Sequence, residues 1–321
     1  MLAVAWIDVF NGDADGICAL LQLRQAQPVT SHLITGVKRD IALLGRVVAG
    51  AADHVHVLDV SLDVNRAALL RLLDAGATVD YFDHHFAGDI PQHPRLRSHI
   101  DLAPDVCTSA LVDRQLHGRF RPWASVGAFG DNLAQLGRQL AADCGFDAVT
   151  AARLQVLGEV INYNAYGETE ADLWIAPAEL FTTLRAFSSP IDALETEIIV
   201  RLRDGFAGDM AHALALAPAA SNPGAALYVL PDAAWGRRVL GSFANELVRR
   251  FPTRAHAILS QRSDGTYTAS VRAPATNPHG ADALCRQFVS GGGRAAAAGV
   301  NKLPAVAIES FRRALFAAYP G

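Results

Sequence analysis

Acidic residues and a histidine pair recur at one kind of place in this chain, where a short apolar run gives out. The first run leads into Asn11-Gly12-Asp13-Ala14-Asp15-Gly16, the second ends at Leu58-Asp59, the third at Asp83-His84-His85 and the fourth at Gly130-Asp131. Carboxylates crowded together repel one another and raise their own pKa values unless cations neutralise them. Two divalent ions would do so, and oxygen ligands with a single imidazole favour Mn2+ (or Mg2+) over zinc, which prefers more nitrogen and sulfur. Each motif alone carries little weight, since Asp-x-Asp-Gly is commonly a turn or a helix N-cap. Their joint placement is what points to a metal-binding rim. Asp13 and Asp15, two apart on an extended segment, would face one side, with Gly16 letting the chain turn into a helix.

For these residues to meet, the apolar runs must be neighbouring strands. Residues 2–10, 55–58, 78–82 and 126–129 read as strands, and 17–26 and 65–75 as helices. Strands alternating with helices of this length imply βαβ units and a mostly parallel sheet, which gathers ligands at the strands' carboxyl ends. From about 134 to 216 the pattern turns helical, and Ala217-Pro-Ala-Ala-Ser-Asn-Pro-Gly224 is linker-like. A second unit follows: strand 225–230, helix 233–251, a hairpin of 255–261 and 267–272, helix 281–289, the cluster Gly291-Gly292-Gly293, and helix 305–319. The fold expected is α/β, an N-terminal mostly parallel sheet flanked by helices plus a smaller α/β C-terminal domain. The boundaries expected are 1–187 for the first domain, 188–216 for a helical linker and 217–321 for the second.

Composition narrows the function. At about 150 residues per domain, 321 residues make about two domains. A hydrophobic share of 51% with 19% charged residues excludes a disordered or collagen-like chain. No apolar run is long enough to span a bilayer, and the N-terminus shows neither a basic n-region nor a cleavage site, so no signal peptide is expected. Cys18, Cys107, Cys144 and Cys285 form no Cys-x-x-Cys, which fits a reducing, cytoplasmic setting. The formal charge of −4 is not that of a protein gripping a long polyanion.

The motifs Asp13-Ala-Asp15-Gly, Asp59, Asp83-His84-His85 and Asp131 resemble, in order, the four signature motifs of DHH phosphoesterases. Ser290-Gly-Gly-Gly-Arg-Ala-Ala-Ala-Ala-Gly299 resembles the glycine motif of the DHH-associated C-terminal domain, and Ser270-Val-Arg272 its arginine-bearing strand. The resemblance implies a two-ion centre, Mn2+ first with Mg2+ or Co2+ as alternatives, that hydrolyses phosphodiester or phosphoanhydride bonds. One ion would be held by Asp13 and Asp59 with Asn11 assisting, the other by Asp15, Asp59, His84 and Asp131, with Asp59 bridging. Asp83 would orient His84, and His85 would touch the scissile phosphate. Arg272, Arg294 and the backbone of Gly291, Gly292 and Gly293 would bind substrate phosphate, with the site in a cleft that Asn162-Tyr-Asn-Ala-Tyr166-Gly could line. The chain's size is most similar to the nanoRNase and pAp-phosphatase group, which implies a short oligonucleotide or small nucleotide as substrate. No membrane and no stable complex with long nucleic acid are expected, and a homodimer is left open. Exopolyphosphatase, cyclic-dinucleotide phosphodiesterase and a nucleotide sensor without turnover are the alternatives. Three positions depart from the pattern: Val9 stands where nanoRNase-like members carry histidine, Asn11 where RecJ-like members carry aspartate, and Arg294 where the glycine motif has histidine.

Overall fold

The computed structural model describes residues 4–321. The chain divides into two units, up to Asp204 and from Gly205 to Gly321. The first contains β1 (Trp6–Phe10), α1 (Ala14–Ala26), β2 (His32–Ile34), β3 (His54–Leu58), α2 (Leu62–Asp74), β4 (Thr78–Asp83) and β5 (Leu96–Ile100). It continues through α3 (Thr108–Gln115), α4 (Arg121–Gly130), α5 (Ala134–Asp143), α6 (Ala148–Asn164), α7 (Pro177–Leu184), α8 (Pro190–Ala193) and α9 (Glu197–Leu214), whose last turns belong to the second unit. Leu2 and Ala3 of the strand expected at 2–10 lie outside the described residues.

All strands of the first sheet are parallel, in the order β2-β1-β3-β4-β5. A parallel sheet covered on both faces needs apolar residues on both, and four of the five residues of β1 and of β3 are buried. One face joins Val9, Val55, Val57, Val79 and Tyr81 to Leu69, Leu72 and Leu73 of α2. Across the other lie α1 and the helices that pack on it, α3, α4 and α6. The parallel arrangement puts the ends of β1, β3 and β4 side by side, with the segment after β2 beside them.

One expected strand is a helix. Residues 126–129, read as a strand, lie inside α4, so Asp131 follows a helix rather than a strand. Every residue of α4 from Trp123 to Gly130 is buried; a helix without a polar face shows no 3.6-residue alternation and reads like a buried strand. Two strands also escape the sequence pattern: β2 has three residues, and β5 is a polar edge strand, Leu-Arg-Ser-His-Ile.

The second unit contains β6 (Ala220–Ser221), β7 (Ala225–Leu230), α10 (Ala234–Arg250), β8 (Ala255–Gln261), β9 (Tyr267–Arg272), α11 (Ala281–Cys285), β10 (Gly291–Gly293), β11 (Ala297–Leu303) and α12 (Ile308–Ala318). Its sheet runs β10-β11-β9-β8-β7-β6, with β7 and β8 parallel across α10 and the other pairs antiparallel. Phe311 and Leu315 of α12 close its core against Leu227, Leu259 and Val271. The expected helix at 281–289 stops at Cys285, and the glycine cluster is a strand. Among the described residues, no helix is long and apolar enough to cross a membrane.

Candidate metal centre

Asp13 is the N-cap of α1: its Oδ1 accepts from the N–H groups of Asp15 (3.0 Å) and Gly16 (3.1 Å). Asp15 therefore sits in the first helical turn, not on the extended segment expected for the pair. Gly16 lies inside the helix, where a Cβ would come within 2.3 Å of the Asn11 carbonyl oxygen. Its role is close approach rather than a turn. The N-terminus of a second helix fixes Asp15: both its oxygens accept α3 N–H groups, from Thr108 at 2.7 Å and Ser109 at 2.8 Å. These are among the N–H groups a helix start leaves without internal partners. Nothing singles out Thr108 and Ser109 in the sequence beyond two hydroxyl residues opening a helix.

Asp59 follows β3 in the left-handed region, at φ 60°, which costs a residue with a Cβ roughly 1–3 kcal/mol and concentrates at functional sites. Its N–H donates to the Phe82 carbonyl (3.0 Å), and Thr108 Oγ1 donates to its Oδ1 (3.1 Å). These bonds turn a strand-end carboxylate into the sheet edge and hold it there. Asp131, just past the end of α4, is placed by a tight helix crossing. A Cβ on Gly130 would come within 2.2 Å of the Ala14 Cβ, and one on Gly158 of α6 within 2.4 Å of the Val126 carbonyl oxygen. A carboxylate at a helix C-terminus faces the negative end of the helix dipole, which a bound cation would offset.

His84 joins these carboxylates. Its Nε2 lies 3.4 Å from Asp59 Oδ1, 3.7 Å from Asp131 Oδ2 and 3.9 Å from Asp15 Oδ2. An octahedral ion with bonds of about 2.1 Å keeps its ligands roughly 3.0 Å apart when adjacent and about 4.2 Å when opposite. Asp15, His84 and Asp131 offer ligand atoms within 4.8 Å of one another, and Asp59, His84 and His85 do likewise. The two groups share His84, and the donor chemistry fits a divalent cation beside its Nε2, with Asp15, Asp59 and Asp131 as the carboxylates around it. The electrostatics agree. Burial, then the charges of Asp13 and Asp15, push the Asp59 carboxyl well above the carboxylate range. Burial lifts Asp131 to about 6 against the opposing pull of Lys38. Burial disfavours the His84 imidazolium, but Asp59, Asp15 and Asp131 overcome it and raise His84 to about 10. A cation at this point would relieve the repulsion and displace the proton.

Asp83 does not orient His84. Its Oδ1 pairs with His85 Nδ1 at 2.8 Å, while His84 faces the carboxylates. The His85 ring is about half exposed, its side chain at 47%, and sits edge-on to His84 with ring centres 4.5 Å apart. Asp83 itself is fully buried.

The Asp13 side of the centre is differently furnished. Asn11 accepts the Asp13 N–H on its Oδ1 (3.3 Å) and donates from its Nδ2 to the Lys38 carbonyl (3.3 Å), so both ends of the amide are engaged. Lys38, in the loop after β2, hydrogen-bonds Asp13 Oδ2 through its Nζ and reaches Asn162 Oδ1 at 3.0 Å. Burial alone would raise Asp13, yet the Lys38 charge and hydrogen bond bring it down to about 2. The sequence reading misses Lys38. One signal is present: arginine dominates the basic residues, and Lys38 and Lys302 are the chain's two lysines.

The other predicted residues lie in the second unit. Arg272 Nε donates to Asn245 Oδ1 (2.9 Å) and its Nη1 to Ser270 Oγ (3.1 Å). Gly291 is required by packing, since a Cβ would stand 1.8 Å from the Cys285 carbonyl oxygen, and its N–H is engaged by the Phe288 carbonyl (3.0 Å). A Cβ on Gly292 would meet nothing within 4 Å. Gly293 ends β10, and Arg294 is an exposed residue of the turn into β11.

No protein-family model and no curated protein matches this sequence. Solved structures do. An exonuclease RecJ bound to manganese aligns over 98% of this chain and 90% of its own, at 20% identity and a TM-score of 0.60. A DHH domain from a member of a ribosomal-protein family aligns over 97% of this chain and 85% of its own, at 14% identity and a TM-score of 0.62. A pGpG-specific phosphodiesterase, PggH from Vibrio cholerae, aligns over 98% of both chains, at 14% identity and a TM-score of 0.56. The chain thus has the fold of the DHH phosphoesterases, in both its parallel-sheet unit and its second mixed-sheet unit.

Proposed function

We propose that the chain is a metal-dependent phosphoesterase that hydrolyses phosphodiester or phosphomonoester bonds of short oligonucleotides or small nucleotides. The observation that carries this is the convergence of Asp15, Asp59, His84 and Asp131 at one edge of a parallel sheet, in a fold shared with a manganese-bound exonuclease and a pGpG phosphodiesterase. Mn2+ suits a set of three carboxylates and one imidazole better than zinc. When bound, such an ion supplies positive charge against phosphoryl oxygens and activates water at neutral pH.

The chain's own residues do the rest. The N–H groups of α3 and the Thr108 hydroxyl fix Asp15 and Asp59, so the ligand set is built before any ion arrives. Asp83 takes up His85 Nδ1 and orients the ring, leaving Nε2 as the group to meet the scissile phosphate. Arg272 and Arg294 are the guanidinium candidates for the remaining phosphate oxygens, where their planar donor face suits bidentate contact.

The net charge of −4 favours a short substrate, because a long polyanion is held by many phosphate contacts and each steepens the salt dependence of binding. A panel of 5′-phosphorylated dinucleotide, pAp, a 20-mer RNA, a cyclic dinucleotide and polyphosphate, assayed with Mn2+, tests the reading. Turnover concentrated on the dinucleotide or pAp, with a shallow salt slope, is expected. Much tighter 20-mer binding with a steep slope would indicate a processive exonuclease. No turnover on any member would indicate a sensor.

A further inference from the structure

The Asp13 side of this centre already holds a cation of its own. We propose that the site binds a single divalent ion, at Asp15, Asp59, His84 and Asp131, and that the Lys38 ammonium stands in for the second ion of the two-ion arrangement. This rests on the phosphoesterase reading and specifies its metal content.

Three observations converge. First, the Asp13 carboxylate already faces a positive charge. Its Oδ1 accepts two N–H groups of α1, and its Oδ2 takes the Lys38 ammonium. Second, the neighbour that would have to assist is engaged at both ends of its amide. Asn11 spends its oxygen on the Asp13 N–H and its nitrogen on the Lys38 carbonyl, and a neutral amide is a poorer ligand than a carboxylate in any case. Third, Lys38 is held from several elements at once. Its N–H donates to the Ala165 carbonyl (2.9 Å), its Nζ donates to Asn162 Oδ1 of α6 (3.0 Å), lies 4.0 Å from Asp131 Oδ1, and stands 5.6 Å from the centre of the Tyr166 ring. The stretch 162–166 thus acts as the seat of the ammonium.

The residue type is also informative. An ammonium is a compact point charge with three donors, whereas a guanidinium is a broad planar fork. Here the ammonium sits between Asp13 Oδ2, Asn162 Oδ1 and Asp131 Oδ1, much as a small cation would. The position carries one of the two lysines in a chain whose other basic residues are arginines. The functional consequence is a centre with one activating ion and one fixed charge. The fixed charge neutralises Asp13 and faces Asp131, and it is present whether or not metal is bound.

Manganese stoichiometry of the full chain decides the matter independently of turnover. Calorimetric titration of metal-free protein with Mn2+, together with electron paramagnetic resonance of the loaded form, should give one ion per chain and an uncoupled Mn2+ signal. In Asn11→Asp/Lys38→Ala, which restores a carboxylate and removes the ammonium, the count should rise to two, with an exchange-coupled signal. Two coupled ions in the wild type would overturn the inference and leave the phosphoesterase reading intact. One ion in a folded double variant, checked by circular dichroism, would also overturn it, because Lys38 would then not be what excludes the second. The wild-type count needs no variant to fold. No bound ion at all would overturn the inference together with the reading beneath it.

Discussion

Metal binding at this centre should be coupled to proton release, and the size of the coupling follows from His84. Three carboxylates raise its pKa to about 10 from an ordinary 6.5, although burial works the other way. Coordination requires the neutral ring. At pH 7.5 the gap to the pKa is about 2.5 units, which is worth roughly 3.4 kcal/mol, or about a 300-fold reduction in apparent affinity. The apparent association constant for Mn2+ should therefore rise about tenfold per pH unit from pH 7 to pH 9 and flatten near 10. The assay is calorimetric titration with Mn2+ in buffers of different ionisation enthalpy, which reads released protons directly. At least one proton per ion is expected at pH 7.5. Buffer-independent heats with a flat pH profile would show that His84 loses no proton when the ion binds. The same shift acts on the metal-free fold. His84, with a raised pKa, contributes stability that is fully present below about pH 6.5 and is lost as pH rises through about 10. The unfolding midpoint of metal-free protein should fall across that window, and His84→Gln should lessen the fall.

Other perturbations separate the parts of the site. Asp59→Asn should abolish most turnover and lower bound Mn2+ in parallel, checked by metal analysis and steady-state kinetics on one preparation. Arg294→Ala should weaken substrates with a terminal phosphate by about 1.5–3 kcal/mol, roughly 10- to 150-fold in kcat/KM. A simple phosphodiester should be nearly unaffected, and equal kinetics on both would mark Arg294 as a bystander. Gly158→Ala forces a Cβ to within 2.4 Å of the Val126 carbonyl oxygen. It should cost about 1–3 kcal/mol and, by shifting α4, weaken Mn2+ binding at Asp131. Thermal unfolding and Mn2+ titration together check it.

The parts of this molecule that can be read in the sequence are those in which local pattern and tertiary role coincide. β7, β8 and β9 and the turn at Ser263-Asp264-Gly265 have the extents their apolar runs and turn residues imply. The carboxylates and His84 are legible because a parallel sheet collects whatever follows its strands. Asp131 is found for a mistaken reason: its helix is buried on all sides and mimics a strand, yet the crossing at Gly130 and Gly158 delivers it to the same edge. The partnership of Asp83 with His85 cannot be read, because adjacent histidines differ only in which way each ring turns. Lys38 is out of reach for a similar reason. Its partners Asp13, Asn162 and Tyr166 are distant in sequence, and only the fold brings a lysine from the β2 loop to α6.

Anomalous diffraction at the manganese edge from Mn2+-soaked crystals reads out directly whether the edge carrying Asp15, Asp59, His84 and Asp131 is a metal centre. A strong anomalous peak is expected within bonding distance of those four side chains, with the Lys38 ammonium still seated against Asp13. Manganese bound elsewhere, or the four side chains hydrogen-bonded to one another with no peak among them at saturating Mn2+, would contradict it.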